Sequence, residues 1–508
     1  VTRPSAREPT KLLVLLCVSV PSFMINLDAN IVAVSLPSIA RSLKADFAAI
    51  EWVISAYTLT FASLVLPAGM LADRYGRKTV LLAGLALFTA ASFVCGAAPD
   101  VRVLNSARAL QGAGAALLLS AALATLSHEF RGPERARAFA FWGSVIGVAI
   151  TLGPVAGGLI TETLGWEWAF YINIPVGLVM IGMTLHAVTD SKDPDATGVD
   201  VPGFLSFAGA LFLLTLALIS GNHAGWGSPT VLAELSAAAL LFGAFLAIET
   251  WQAHPMLDLR FFRRPTYIGA NVASLAFAAA LLTMLTYLPL YFQGGLGFAP
   301  QKAGLLMLPM AVPLFLVPRL VARHLTQRLS GRALLSLGLV LVGIGLLCLA
   351  LVAPELRYSS MLLGMLIAGT GAGILNGETA KVSMTVIPPE RAGMGAGVGG
   401  TVRFAGIVVG FAGLGAVLFE RVTATLGALL PGVPDSARFA IAQRVMAGDV
   451  RGDIARVSFG AGYRAVFLAA AALAAVSALA SWLLVRAADT LPVPRSAGSG
   501  EDLALPVE

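Results

Sequence analysis

The sequence returns repeatedly to apolar runs of about twenty residues, the length at which a helix crosses the hydrocarbon of a bilayer. These runs are spread along all 508 residues and are separated by short polar segments. Only 12% of the residues are charged and 57% are hydrophobic. Soluble domains carry about 25% charged residues, so water cannot cover a surface built from these runs. The chain reads as an all-α polytopic membrane protein, because in lipid each helix satisfies its own backbone groups. Spans are expected near Leu12–Ala40, Glu51–Ala72, Lys78–Ala98, Val101–Ser127, Arg135–Thr161 and Trp168–Val188. Two follow near Val201–Ser220 and Thr230–Thr250. Six more lie near Thr266–Phe292, Gln301–Val321, Arg332–Val352, Ser359–Val386, Arg391–Phe419 and Tyr463–Arg486. That makes about fourteen spans. The 53 glycines sit inside the runs, where they serve close helix packing.

The net charge of +6 comes from basic residues in short loops, which excludes a continuous nucleic-acid surface. Loops after even-numbered spans hold Arg74, Arg77 and Lys78; Arg131 and Arg135; Arg260, Arg263 and Arg264; Arg319, Arg323 and Arg328; and Lys381 and Arg391. The positive-inside rule therefore predicts a cytoplasmic location for both termini. Two segments dissent: Asp190–Asp200 is acidic though placed inside, and Glu420–Arg464 is basic though placed outside. Acidic residues weigh little in the rule and long loops translocate regardless of charge. Ala437–Val457 has the mixed pattern of one or two short amphipathic helices, expected on the outer leaflet. Arg3, Arg7 and Lys11 ahead of Leu12 resemble a signal peptide only superficially, so the first span is expected to be retained.

Cys17, Cys95 and Cys348 all lie in apolar runs, so neither a disulfide nor a cysteine metal site is expected. His223 and His254 fall in loops without partners at ligand spacing. No phosphate-binding loop or nucleophile elbow is present, which points away from ATP hydrolysis and from an enzyme.

Three landmarks recur in the same order at nearly the same offset. Pro133–Ala136 returns as Pro389–Ala392, Arg74–Arg77 as a degenerate Arg328–Arg332, and Leu36-Pro37 as Leu288-Pro289. They imply two related six-helix halves, residues 12–188 and 266–486, with two additional helices at 201–250. A cytoplasmic loop at 189–200 and a linker at 251–265 join them, and tails 1–11 and 487–508 flank them. A long outer loop is expected at 420–462.

The polar hinge Gly69-Met-Leu-Ala-Asp73-Arg74-Tyr-Gly76-Arg77-Lys78 joins the second and third spans. Its pattern G-x-L-A-D-R-x-G-R-K resembles the loop at that place in the major facilitator superfamily. Four further stretches resemble the fourteen-span drug:proton antiporter branch, the EmrB/QacA-like transporters. They are Leu27–Pro37; Leu104–Gly114 with Arg108, Gln111 and Gly112; the fifth-span set Gly143, Gly147, Gly153-Pro154 and Gly157-Gly158; and Trp166–Gly177. The resemblance covers nearly the whole chain. It implies a major facilitator fold and a secondary active exporter of amphipathic drugs or antiseptics, cationic ones included, driven by a proton gradient without a cofactor. It also implies a role in proton transfer for Arg108, an antiporter motif in the fifth span, and a monomer working in the cytoplasmic membrane of a bacterial cell.

The residues themselves agree with that chemistry. Asp28 is a carboxylate within a span, costly unless paired, protonated or facing water. It either cycles between charge states or forms a structural pair. Arg108 cannot deprotonate and needs a carboxylate, carbonyls or water. Counted from the span ends, the two differ in depth by roughly 6 Å, so a shared polar path without contact is expected. Glu378 and Arg403 lie at similar depth on consecutive helices. They are expected to pair, with Glu378 as a second proton or cation site, or as an exposed acid in a wet vestibule, as the alternatives. The fifth-span glycines are expected to form a flat face against the other half, sealing it against leak, or simply to serve packing. Phe23, Met24, Tyr57, Gln111, Tyr287, Tyr291 and Asn376 are candidates for a substrate cavity, with Phe292, Met307 and Met310 beside them. Asp73, which has no counterpart in the second repeat, is expected to dock at Arg391–Gly395 or at the start of the fifth span. There it would latch an outward-open state. The competing readings are a dedicated exporter of one endogenous metabolite or antibiotic, and a receptor that no longer transports.

Overall fold

The computed structural model describes residues 8–490 apart from 131, 193–199, 253, 254, 256, 327, 388–391 and 447–451. Fourteen of its helices are long and apolar enough to cross a membrane. The first six are α1 (Lys11–Leu43), α2 (Ala49–Tyr75), α3 (Arg77–Gly96), α4 (Val101–Glu129), α5 (Arg137–Thr163) and α6 (Trp168–Ala187). Next come α7 (Val201–Gly221) and α8 (Pro229–Trp251). The last six are α9 (Pro265–Gly294), α10 (Pro300–Leu325), α11 (Gly331–Glu355), α12 (Tyr358–Met384), α13 (Gly397–Leu429) and α14 (Asp453–Leu484). An even number of spans puts Lys11 at the head of α1 and Leu484 at the end of α14, the terminal ends of the spans, on one face of the molecule.

Local chemistry sets the turns. Asp46 caps the second helix by accepting from Ala49 N at 2.8 Å, and Asp100 caps α4 by accepting from the backbone N of Arg102 and Val103. Gly76 reverses the chain between α2 and α3 in one residue at φ 110°, a conformation closed to side chains. Within α9 the residues Ala278–Leu282 form a π turn, where Ala279 meets Gly410 of α13.

The two six-helix groups meet tightly on the face away from the termini. There Gln293 Nε2 of α9 donates to Val34 O of α1 at 2.7 Å, and Gln301 N of α10 donates to Glu162 Oε2 of α5 at 3.0 Å. Ile31, Val32, Leu36 and Ile39 of α1 accordingly share one apolar core with α9 and α10. Along another seam α2 runs beside α13, with the Phe61 and Phe404 rings 4.0 Å apart. The helix pair α7–α8 packs outside this seam: Leu211 joins Leu59 of α2 and Val408 of α13, and Phe245 of α8 packs on Phe207 of α7.

The segment between the last two spans differs from expectation. Within the stretch expected as a loop at 420–462, α13 stays helical to Leu429 and α14 begins at Asp453. At 33 residues α13 is about 50 Å long and projects beyond the roughly 30 Å hydrocarbon layer, where Glu420 and Arg421 are at home. A short helix, Asp435–Met446, follows. It does not lie free on a leaflet: Ala442, Val445 and Met446 are buried, and Phe439 packs on Phe419 of α13.

Candidate functional site

Small residues bring polar ones together in the first half. A Cβ at Gly112 of α4 would fall on Tyr57 O of α2, and one at Gly114 would fall on Phe88 of α3, so α4 lies backbone to backbone with both neighbours. That approach puts Val53 O within 3.0 Å of Arg108 Nε. Arg108 Nη1 donates to Asp28 Oδ2 at 2.7 Å and to Gln111 Oε1 at 2.6 Å. Asp28 Oδ1 accepts from Gln111 Nε2 at 2.9 Å and from Asn173 Nδ2 at 2.8 Å. Ser92 Oγ accepts from Gln111 Nε2 at 2.9 Å and donates to Phe88 O. The guanidinium also stands over the Tyr57 ring, 4.1 Å from its centre. Asp28, Arg108, Gln111 and Ser92 are all 0% exposed, so water does not compete for these bonds.

Asp28 and Arg108 therefore touch, contrary to the depth argument. The long arginine side chain spans the height that separates their backbones. Asn173 and Ser92 completes the set; Asn173 lies in the Trp166–Gly177 stretch and was legible as a polar residue inside an apolar helix, whereas Ser92 carried no signal.

Next to this network lies a cavity of about 440 Å³ between the two halves. Tyr57, Arg108 and Trp142 line it from one half, and Asn271, Asn376 and Arg403 from the other. Its wall continues through Leu123, Ser383, Met384 and Gly395, toward the face that carries the termini. Of the candidate cavity residues, Tyr57 and Asn376 line it. Gln111 is buried in the network behind the wall. Met24 is in the core of the first half, and Phe23, half-buried on the same helix, is not on the wall. Tyr287 and Tyr291 donate to Phe411 O and Ala353 O and meet the Tyr463 ring edge-on, in an aromatic core of the second half. Phe292, Met307 and Met310 belong to that core as well.

The expected Glu378–Arg403 pair does not form. Arg403 Nη2 donates to Asn376 Oδ1 at 2.8 Å and its guanidinium lies 5.3 Å from the Phe277 ring centre. Glu378 is instead approached by Lys381 Nζ at 3.3 Å, one turn along its own helix.

The fifth-span glycines divide by neighbour. Gly158 abuts the Pro300–Gln301 backbone of α10, Gly304 of α10 abuts Pro154 O in return, and Gly147 meets the Phe315 ring. Gly153 and Gly157 instead seat Asn30 and Ile31 of α1, within the same half. Gly143 has nothing near it. In the hinge, Asp73 accepts from Arg77 Nη2 at 3.2 Å, one turn away. Arg77 N donates to Ser191 O, Lys78 Nζ donates to Leu185 O at 2.7 Å, and a Cβ on Gly76 would strike the Asp190 carboxylate. The hinge is thus fastened to the segment after α6. Gly69 makes no close approach, and Arg74 stacks on Tyr75 at the surface. Of the docking site expected for Asp73, residue 391 lies outside the described residues, as do Pro389 and Glu390 of the repeated stretch and His254.

The family model of the Major Facilitator Superfamily matches residues 18–411. The multidrug resistance protein Stp of Mycobacterium tuberculosis is 36% identical over 419 residues, which span 82% of this chain and 78% of Stp. The methylenomycin A resistance protein of Streptomyces coelicolor is 35% identical over 399 residues, 78% of this chain and 83% of that one. Among solved structures, the peptide transporter POT in complex with sulfate aligns with a TM-score of 0.65 over 94% of this chain and 96% of its own. At 15% identity that likeness is one of fold.

Proposed function

The chain belongs to the major facilitator superfamily, and from that membership we propose that it exports amphipathic drugs or antiseptics across the cytoplasmic membrane in exchange for protons. Its relatives Stp and the methylenomycin A resistance protein bear the names of resistance proteins, which supports efflux. The observation that carries proton coupling is the buried Asp28–Arg108–Gln111–Asn173 network, which meets the cavity wall at Arg108. The positive-inside rule makes the face bearing the termini cytoplasmic, so the cavity receives cargo from the cell interior. The two halves then rock about it to expose cargo outside. A proton on Asp28 removes the anion that holds Arg108, leaving the guanidinium to the Tyr57 ring and the cavity. Cargo and proton thereby compete through one side chain, and no cofactor is needed beyond the gradient.

The charged residues on the cavity wall, among those described, are Arg108 and Arg403. Cargo with acceptor oxygens or a negative charge suits them better than a cation. That observation, together with a relative named for a single antibiotic, favours a second reading: a dedicated exporter of one oxygen-rich or acidic compound. Purified protein in lipid vesicles under an imposed proton gradient tests both readings. Gradient-dependent movement of chemically varied dyes and antibiotics supports broad efflux, and movement of acidic cargo alone supports the dedicated exporter. Cargo movement that ignores the gradient would sink proton coupling.

A further inference from the structure

Glu51 stands in the first turn of α2, on the face away from the termini, and is 1% exposed. Its Oε1 is buried with no hydrogen-bond partner among the described residues. It points at α13, where a Cβ on Gly415 would overlap Oε1, so the missing side chain at 415 forms the notch that receives the carboxyl group. Beside the notch is the Tyr287 hydroxyl, already donating to Phe411 O. Because α2 and α13 belong to opposite halves, the notch exists only while the outer ends of the halves are together.

The charges around it offer no counterion. Asp46, at the head of the same helix, is acidic and engaged with Ala49 N. From α4, Arg108 is committed to Asp28 and Val53 O, and Arg102 is exposed. From α1, Asp28 is paired and Arg41 is exposed beside Ser38. From α13, Glu420 and Arg421 are exposed; on the short helix after it Arg444 is exposed, and Arg438, half-buried, reaches Gly427, about three turns beyond Gly415. The stretch Val201–Gly221 of α7 has no titratable residue. An ionised carboxylate in this notch would be desolvated against a glycine with nothing to balance it, whereas the neutral acid loses far less.

We propose that Glu51 is a proton-binding site of the outer gate, taking up one proton as the two halves close over it and returning it to the external water as they part. The proposal rests on the rocking motion invoked above but not on cargo or on Asp28. External acid then favours the closed outer gate, which returns the emptied carrier to the state whose cavity faces the termini.

The test reads the gate directly, without cargo or gradient. Spin labels at Lys44→Cys and Arg421→Cys, in a background with Cys17, Cys95 and Cys348 replaced by serine, report the outer separation in lipid nanodiscs. In the otherwise unaltered protein the short-distance population should rise as pH falls, by up to tenfold in ratio per pH unit for a single proton. Glu51→Gln should stay at the short distance throughout the titration. Gly415→Ala should hold the gate apart, and adding Glu51→Ala to it should restore the short distance without pH dependence; this pair also supplies a second neutral notch should the glutamine variant misfold. A pH response unchanged in Glu51→Gln, or none in the parent protein, overturns the proposal. Failure of drug transport in vesicles, by contrast, counts against the efflux reading and leaves the gate measurement standing.

Discussion

Arg108 holds a geometry that a lysine cannot copy, since Nε donates to Val53 O while Nη1 of the same planar group donates to both Gln111 Oε1 and Asp28 Oδ2. Arg108→Lys should therefore fold yet lose proton-driven exchange in vesicles. Arg108→Ala strands a buried carboxylate and should cost about 3–5 kcal/mol of stability, visible as reduced thermal stability in detergent. A lysine variant that exchanges protons for cargo at the parent rate would reduce the network to a structural one. The sequence made both charges conspicuous, because an apolar helix rarely tolerates either. Gln111 follows Arg108 by three residues, so a shared face was legible too. The failed Glu378–Arg403 pairing shows the limit. Depth along a helix says nothing of direction around it, and two residues turn a helix by roughly 200°. With Asn376 facing Arg403, Glu378 must face away.

The fifth-span glycines look equivalent in the sequence and are unequal in the assembled helices. Gly304→Ala would drive a methyl group into Pro154 O, a backbone atom with no rotamer to yield. Overpacking of this kind costs about 1–3 kcal/mol, more than the roughly 0.5–1 kcal/mol that alanine gains over glycine within a helix. The outer seam between α5 and α10 should part, and vesicles carrying Gly304→Ala should lose an imposed proton gradient faster than the parent. Gly143→Ala meets open space and should leave both leak and transport unchanged. Equal leak from the two variants would remove the distinction. At the other face, Lys11 at the head of α1 donates to Glu134, just ahead of α5, at 2.7 Å. That hydrogen bond holds the Glu134 carboxyl below the usual glutamate range. The group binds its proton more weakly folded than unfolded, so the brace contributes at neutral pH and is lost as pH falls through the depressed folded value. The destabilisation caused by Lys11→Ala should be measurable at pH 7 and vanish in acid.

For the whole molecule, repeated apolar runs and the hinge pattern were enough to read the all-α architecture, since lipid leaves a chain few other choices. Contacts between halves were not legible, because glycine against backbone leaves no trace in hydropathy and the ends of α13 and α14 carry charges that mimic loops. Those contacts decide which way the cavity faces. Gln293–Val34, Gln301–Glu162 and the reciprocal Gly158 and Gly304 approaches close one face, while Ser383 and Gly395 extend the cavity wall toward the other. A single cysteine at Ser383, in a background lacking the three native ones, should react with a charged thiol reagent supplied on the face of the termini and resist the same reagent from the opposite face. Saturating cargo should slow the reaction if it occupies the cavity. Sealed vesicles of known orientation separate the two exposures, and the permeant form of the reagent controls for a buried thiol. Equal labelling from both faces would mean that the outer contacts do not hold the halves together in the membrane, and the rocking cycle would need another resting state.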